Sequence, residues 1–273
     1  MVAPVLIGLM LMLAAEPAQR TADDYGADAE AAFAEGVQQA SNQPNEARFC
    51  FSCAAAQFDK LQRSGIANPL LSRNLGNSWL LARDPNDSTD RSLPQAILAY
   101  QQGLRLDPAN QELHRNLEFA RQQVNYPAPG TFGLPTTDHR PPWLPRWPLA
   151  LLALVVTAYA IAVLALARWW MVRRSHWLTV AGCSFAFALL FAAGLAVETW
   201  QIREETQHPV VVIAQDGVQL LIGNGSRYPP RYETPVNRGV EARLRYDRGN
   251  WLQIELGTGE IGWVPRHAVL LDR

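Results

Sequence analysis

The sequence predicts a multidomain membrane protein: an all-α part made of helical hairpins, a two-helix transmembrane hairpin and an all-β small barrel. Three observations predict it. Two central runs of about 20 residues carry no charge, and most of the tryptophans flank them. Residues 20–126 place apolar side chains on a helical repeat. Residues 208–272 place them on an alternating one. The chain of 273 residues is 48% hydrophobic, yet its mean hydropathy is close to zero, so the apolar residues are concentrated in segments.

The N-terminus begins with an apolar run over residues 2–15, followed by the small residues Ala14, Ala15 and Ala18. This is the length and ending of a secretory signal, too short to span a bilayer, and it assigns residues 1–18 to a signal peptide. No Lys or Arg precedes the run, so only the amino terminus supplies positive charge there.

Residues 20–126 follow as helices. "DAEAAFAEGVQQA" sets Ala, Phe and Val on one face, and "ARFCFSCAAAQFDKLQRSG" continues with Phe51, Ala54, Phe58 and Leu61 up to Gly65, a usual helix end. Three more segments follow: "NPLLSRNLGNSWLLARD", "SLPQAILAYQQGLRLDP" and "NQELHRNLEFARQQV". Pro69 and Pro94 suit first helical turns, Pro108 follows a helix end, and Asn110 is a fair N-cap with Glu112 in the turn it opens. Cys50 and Cys53 form a C-x-x-C inside a helix. Packing of two small side chains between helices is one reading, and a thiol redox pair is the other.

Residues 127–147 contain six prolines and read as an extended, semi-stiff spacer that holds the helical part off the bilayer. Two spans follow, residues 148–170 and 177–199, joined by a loop over residues 171–176. Trp143 and Trp147 precede the first run, Trp169, Trp170 and Trp177 crowd the gap, and Trp200 follows the second, as an aromatic belt requires. The gap carries Arg168, Arg173 and Arg174. Basic residues in short loops stay in the cytoplasm, so loop 168–176 is expected there and both soluble parts outside. The signal peptide demands the same topology.

The C-terminal part, residues 208–273, carries five expected strands: "PVVVIA", "VQLLIG", "VEARLRY", "WLQIEL" and "EIGWVP". In "WLQIEL", Leu252, Ile254 and Leu256 point to one side and Trp251, Gln253 and Glu255 to the other. Five short strands in so few residues predict a small barrel.

Two stretches resemble known families. Leu75, Gly76 and Trp79, then Ala96, Tyr100, Gly103 and Pro108, resemble the tetratricopeptide repeat, with "DPNDSTDR" lengthening the turn. Residues 23–65 resemble an earlier, degenerate hairpin, and Gln111–Val124 a closing helix. The resemblance implies peptide binding on the face formed by first helices, which makes Arg73, Asn77 and Asn116 candidate contacts; solvated or packing roles are the alternative. The extra turn is expected to tolerate deletion. Gly223, Gly225 and Tyr228, then Trp251, Gly262, Trp263 and Val264, resemble a bacterial SH3-like domain, with Leu221 where that family usually carries arginine. This implies a recognition surface at Tyr228, Trp251 and Trp263, with Gly262 leaving room beside the Trp263 ring. The alternative is that the tryptophans plug the barrel.

The order signal, tetratricopeptide hairpins, spacer, two spans and SH3-like barrel is similar to the BatE-type members of the bacterial aerotolerance (Bat) group. That resemblance implies a non-catalytic scaffold in an envelope complex, beside von Willebrand A-domain membrane proteins and a MoxR-type ATPase. A cell-wall sensor binding peptidoglycan peptides is the alternative, and a redox protein using Cys50 and Cys53 the third. No enzyme motif, metal-ligand spacing or cofactor site is visible, and the five histidines are scattered. A net charge of −1 gives no reason to expect nucleic acid as a partner.

Overall fold

A computed structural model describes residues 22–127, 131–135 and 148–271. The expected signal peptide, Trp143, Trp147 and the end of the proline-rich segment lie outside the described residues. The described residues form seven helices and one antiparallel sheet of five strands.

Helices α1 (Ala22–Gln39), α2 (Pro44–Arg63), α3 (Pro69–Ala82), α4 (Ser92–Leu106) and α5 (Gln111–Arg121) pack consecutively as antiparallel hairpins. Their ends follow local chemistry. The Asn68 side chain accepts from the Leu70 amide and Pro69 opens α3. The Asn110 side chain accepts from the amides of Glu112 and Leu113. Beyond α2, Gly65 takes the left-handed φ of 94° that closes a helix. Small residues let the helices approach. A Cβ on Gly76 would fall inside the Tyr100 ring, and one on Gly36 would press on Phe51. Phe33 and Phe51 meet edge to face at 5.3 Å in the first hairpin.

Helices α6 (Pro148–Val172) and α7 (His176–Gln207) form the apolar hairpin, and both are long and apolar enough to cross a membrane. Their mean hydropathies are 2.7 and 2.2 over Leu149–Val172 and His176–Val197. Leu151, Ala162, Ala165 and Ala188 are buried, whereas Leu164, Trp170 and Phe187 stand exposed. Small residues between the helices and large apolar ones outside suit a lipid solvent. The expected loop is shorter than the sequence indicates. The helices take Met171, Val172 and His176 from it, which leaves only Arg173–Ser175. Arg173 turns the chain at a φ of 54°, its amide donates to Trp169 O at 2.7 Å, and its guanidinium lies 5.4 Å from the Trp169 ring. Helix α7 also continues past the expected span end, through Gln207.

The sheet comprises β1 (Val210–Ile213), β2 (Glu241–Arg248), β3 (Trp251–Leu256), β4 (Ile261–Pro265) and β5 (Val269–Leu271), in the order β4-β3-β2-β1-β5. It is an open sheet rather than the expected closed barrel. "VQLLIG" forms no strand; it makes isolated pairs of Val218 with Val236 and of Leu221 with Pro230 and Trp263. Pro229, Pro230 and Pro235 supply no amide donors, so the excursion after β1 cannot sustain a ladder. The fifth strand is Val269–Leu271 instead. The β3 register matches the alternation: Leu252, Ile254 and Leu256 are buried.

The two soluble parts are not held apart. One core joins Ile97, Tyr100, Leu113, Leu117 and Val124 of the helical part to Val211, Ile213, Leu220, Val240 and Ile254 of the sheet. Strand β1 is apolar at every position because it is buried on both faces. Val212 pairs with Glu241, so both share the face that α4 packs on, with Arg121 of α5 reaching it. There the Glu241 carboxylate accepts from Arg121 Nε at 2.7 Å and Nη2 at 3.0 Å, and from the Gln101 amide. Asn237 donates to Asn125 O at 2.8 Å. In the proline-rich segment, Phe132 meets Tyr232 edge to face and Gly133 lies against Val240. Within the expected spacer, residues 131–135 pack on the sheet's excursion, and residues 136–147 lie outside the described residues.

The lengthened turn is also corrected. Asp84, Asp87 and Asp90 fold it through side chain to backbone bonds, and Arg238 donates to the carbonyls of Asp87 at 2.6 Å and Asp90 at 3.1 Å. Arg238 also pairs with Asp216, and its side chain is only 14% exposed. Deleting Asn86–Thr89 is expected to cost about 2 kcal/mol, because a mostly buried guanidinium loses charge-assisted bonds. Denaturant titration of the full chain in detergent checks this; a loss near zero would show that the turn does not dock the sheet.

Candidate functional site

Two polar pairs, one turn apart, join α3 to α5. Arg73 and Asn77 lie one turn apart on α3, and Glu112 and Asn116 one turn apart on α5. Arg73 forms an ion pair with Glu112, and Asn116 Nδ2 donates to Asn77 Oδ1 at 2.9 Å. The Tyr100 hydroxyl of α4 donates to the same oxygen at 2.9 Å. Its ring is fully buried, and burial pushes the phenol's pKa well above its ordinary value, so it stays a neutral donor.

Asn77 and Asn116 line a depression of about 170 Å³, and because Asn77 Oδ1 is taken by two donors, the Asn77 NH₂ group and the Asn116 carbonyl oxygen are the amide groups this pair leaves over. Phe33, Leu80, Leu81 and Phe119 complete its lining. Phe119 is 56% exposed and Leu81 47%. The lining comes from alternate helices α1, α3 and α5, with Tyr100 of α4 beneath. A largely apolar depression with an amide donor and an amide acceptor can hold an extended peptide, whose backbone offers both complements. Of the sequence candidates, Asn77 and Asn116 come together here, and Arg73 sits beside them engaged with Glu112. Phe33, Leu81 and Phe119 were not anticipated. Their signal was apolar residues at positions that a helical packing pattern leaves outward.

Cys50 and Cys53 line a separate depression of about 310 Å³ between α1 and α2, with Glu35, Glu46 and Phe49. Both thiols are free. Burial, and then the nearby Glu35 carboxylate, push the Cys50 thiol up, which disfavours the nucleophilic thiolate. Among the described residues no group of three or more His, Cys, Asp or Glu could hold a metal ion.

The three sheet aromatics do not share one setting. Trp251 and Trp263 lie on the same face, through the pairs of Trp251 with Pro265 and Gln253 with Trp263. Trp251 is half-buried, while Trp263 is buried, with Arg248 5.5 Å from its ring centroid. Tyr228 is half exposed and covers Gly223. The expected role of Gly262 is corrected: a Cβ there would strike Leu220, so this glycine admits a core leucine rather than opening space beside Trp263.

No family model, curated protein or solved structure matches this chain.

Proposed function

We propose that this protein is a non-catalytic, membrane-anchored scaffold that captures extended peptide segments of envelope proteins in the α1–α3–α5 depression. The depression's paired amides beneath an exposed apolar lining carry this reading. On it, the helical hairpins are of tetratricopeptide type, the sheet is an SH3-like module, and α6 and α7 are spans. The Bat-type arrangement, with von Willebrand A-domain partners, is the context this reading favours. A photo-crosslinking residue at Leu81 or at Phe119 is expected to capture the same protein, and one at exposed Leu106 on α4 is not. Equal capture from all three positions would reject this site.

The spans are read with both soluble parts outside the cytoplasm, on the basic turn Arg168, Arg173 and Arg174. Close packing of the parts at the two ends of the hairpin supports a shared side. In a chain lacking its native cysteines, a thiol at Ser175 is expected to react with an impermeant reagent only after the membrane is opened. One at Ser226 reacts without that step. The reverse pattern would invert the topology.

A further inference from the structure

We propose that the tip of the β2–β3 hairpin is a headgroup-docking element that lays Tyr246, Arg248 and Trp251 on the surface of the bilayer crossed by α6 and α7. It rests on reading those helices as spans.

Direction comes first. Only His208 and Pro209 separate α7 from β1. Val210 pairs with Arg243, the Leu244 amide donates to Pro209 O at 3.0 Å, and His208 Nδ1 lies 2.9 Å from Leu244 O. The antiparallel β2 therefore runs back towards the end of the sheet at which α7 arrives. It does not stop level with the start of β1: residues 245–250 project beyond it. The four strand residues Arg245–Arg248 at ~3.3 Å each reach ~13 Å, and the Gly249–Asn250 turn lies beyond them. Helix α7 runs ten residues past Val197, a stalk of ~15 Å. The overhang is as long as the stalk, so it can return to the bilayer surface.

Chemistry agrees. The pairs Arg248 with Trp251, Tyr246 with Gln253 and Gln253 with Trp263 gather Tyr246, Arg248, Trp251 and Trp263 on one face near the tip. Tyr246 is 65% exposed. Arg248 stacks over Trp263 and has no carboxylate partner among the described residues. Arg266 reaches the tip as well, its amide donating to Asn250 O at 2.9 Å and its guanidinium to Asp247. Amphipathic rings and arginines are the side chains that settle at a membrane interface and meet anionic headgroups. The opposite end of the sheet carries none of this. Its β3–β4 turn, residues 257–260, has no aromatic or basic residue, and that end is where Glu241 and Arg238 hold the helical part.

The full chain in nanodiscs of phosphatidylcholine and phosphatidylglycerol tests the proposal with a single thiol-linked fluorophore. The probe is placed on native Cys183, or on Asn250→Cys or Thr258→Cys, in chains whose other cysteines are alanine. Acyl-chain nitroxide lipid should quench the Cys183 probe. Headgroup nitroxide lipid should quench the Asn250 probe roughly twofold or more above the Thr258 probe, as the nearer to the charged surface. Adding Tyr246→Ser and Arg248→Glu should bring it down to the Thr258 level. Equal quenching at the two sites, or no response to those substitutions, overturns the docking and leaves the spans standing. Loss of acyl-chain quenching at Cys183 overturns the spans and the docking together.

Discussion

Replacing Glu241 with alanine is expected to destabilise the soluble parts by about 3–5 kcal/mol, because it leaves a mostly buried guanidinium without its counter-charge. The Glu241 side chain is 8% exposed and that of Arg121 22%. Two of the carboxylate's bonds come from that one guanidinium and a third from Gln101. The pair also locks the far end of β2 to α4 and α5, so the loss should uncouple two packed units rather than loosen one. Denaturant titration with tryptophan fluorescence reads the stability, and proteolysis between residues 127 and 147 reads the uncoupling. The double substitution Glu241→Leu with Arg121→Met should recover much of the loss, since an apolar pair carries no desolvation cost. A Glu241→Ala protein as stable as the parent would mean that the helical part and the sheet are not docked.

Tyr100→Ala is expected to cost about 3–5 kcal/mol, the range for emptying a large buried aromatic site. Its ring is fully buried between α3 and α4, against Gly76, and belongs to the core shared with the sheet. Tyr100→Phe separates packing from polarity. It should cost only about 1 kcal/mol, the worth of one hydrogen bond, while leaving Asn77 Oδ1 with the Asn116 bond alone. Thermal unfolding of the two variants distinguishes the contributions. Similar losses in both would show that the hydroxyl, not the ring, holds this site.

Much of this architecture is local and therefore readable in the chain. Pro69, Asn110 and Gly65 mark helix ends because caps act over one turn. The alternation in Trp251–Leu256 sets which side chains are buried, because a strand has period two. The apolar runs set α6 and α7, because length and composition decide whether a helix can cross a bilayer. The uniform apolar run of β1 carried a further message, burial on both faces, although nothing local says what covers the second face. That was decided by tertiary structure. Glu241 meets Arg121 across 120 positions and Arg238 meets Asp87 across 151. In the sequence each is an ordinary surface charge, and the "DPNDSTDR" turn is an ordinary loop. The same limit applies to Asn77 and Asn116: their helical positions were legible, but not that Tyr100 and Asn116 would both bond one Asn77 oxygen beside a shared depression. Periodicity reports that a face is buried. Which distant partner buries it depends on the packing of whole elements, where a polar group's value is set by the one group brought within hydrogen-bond reach.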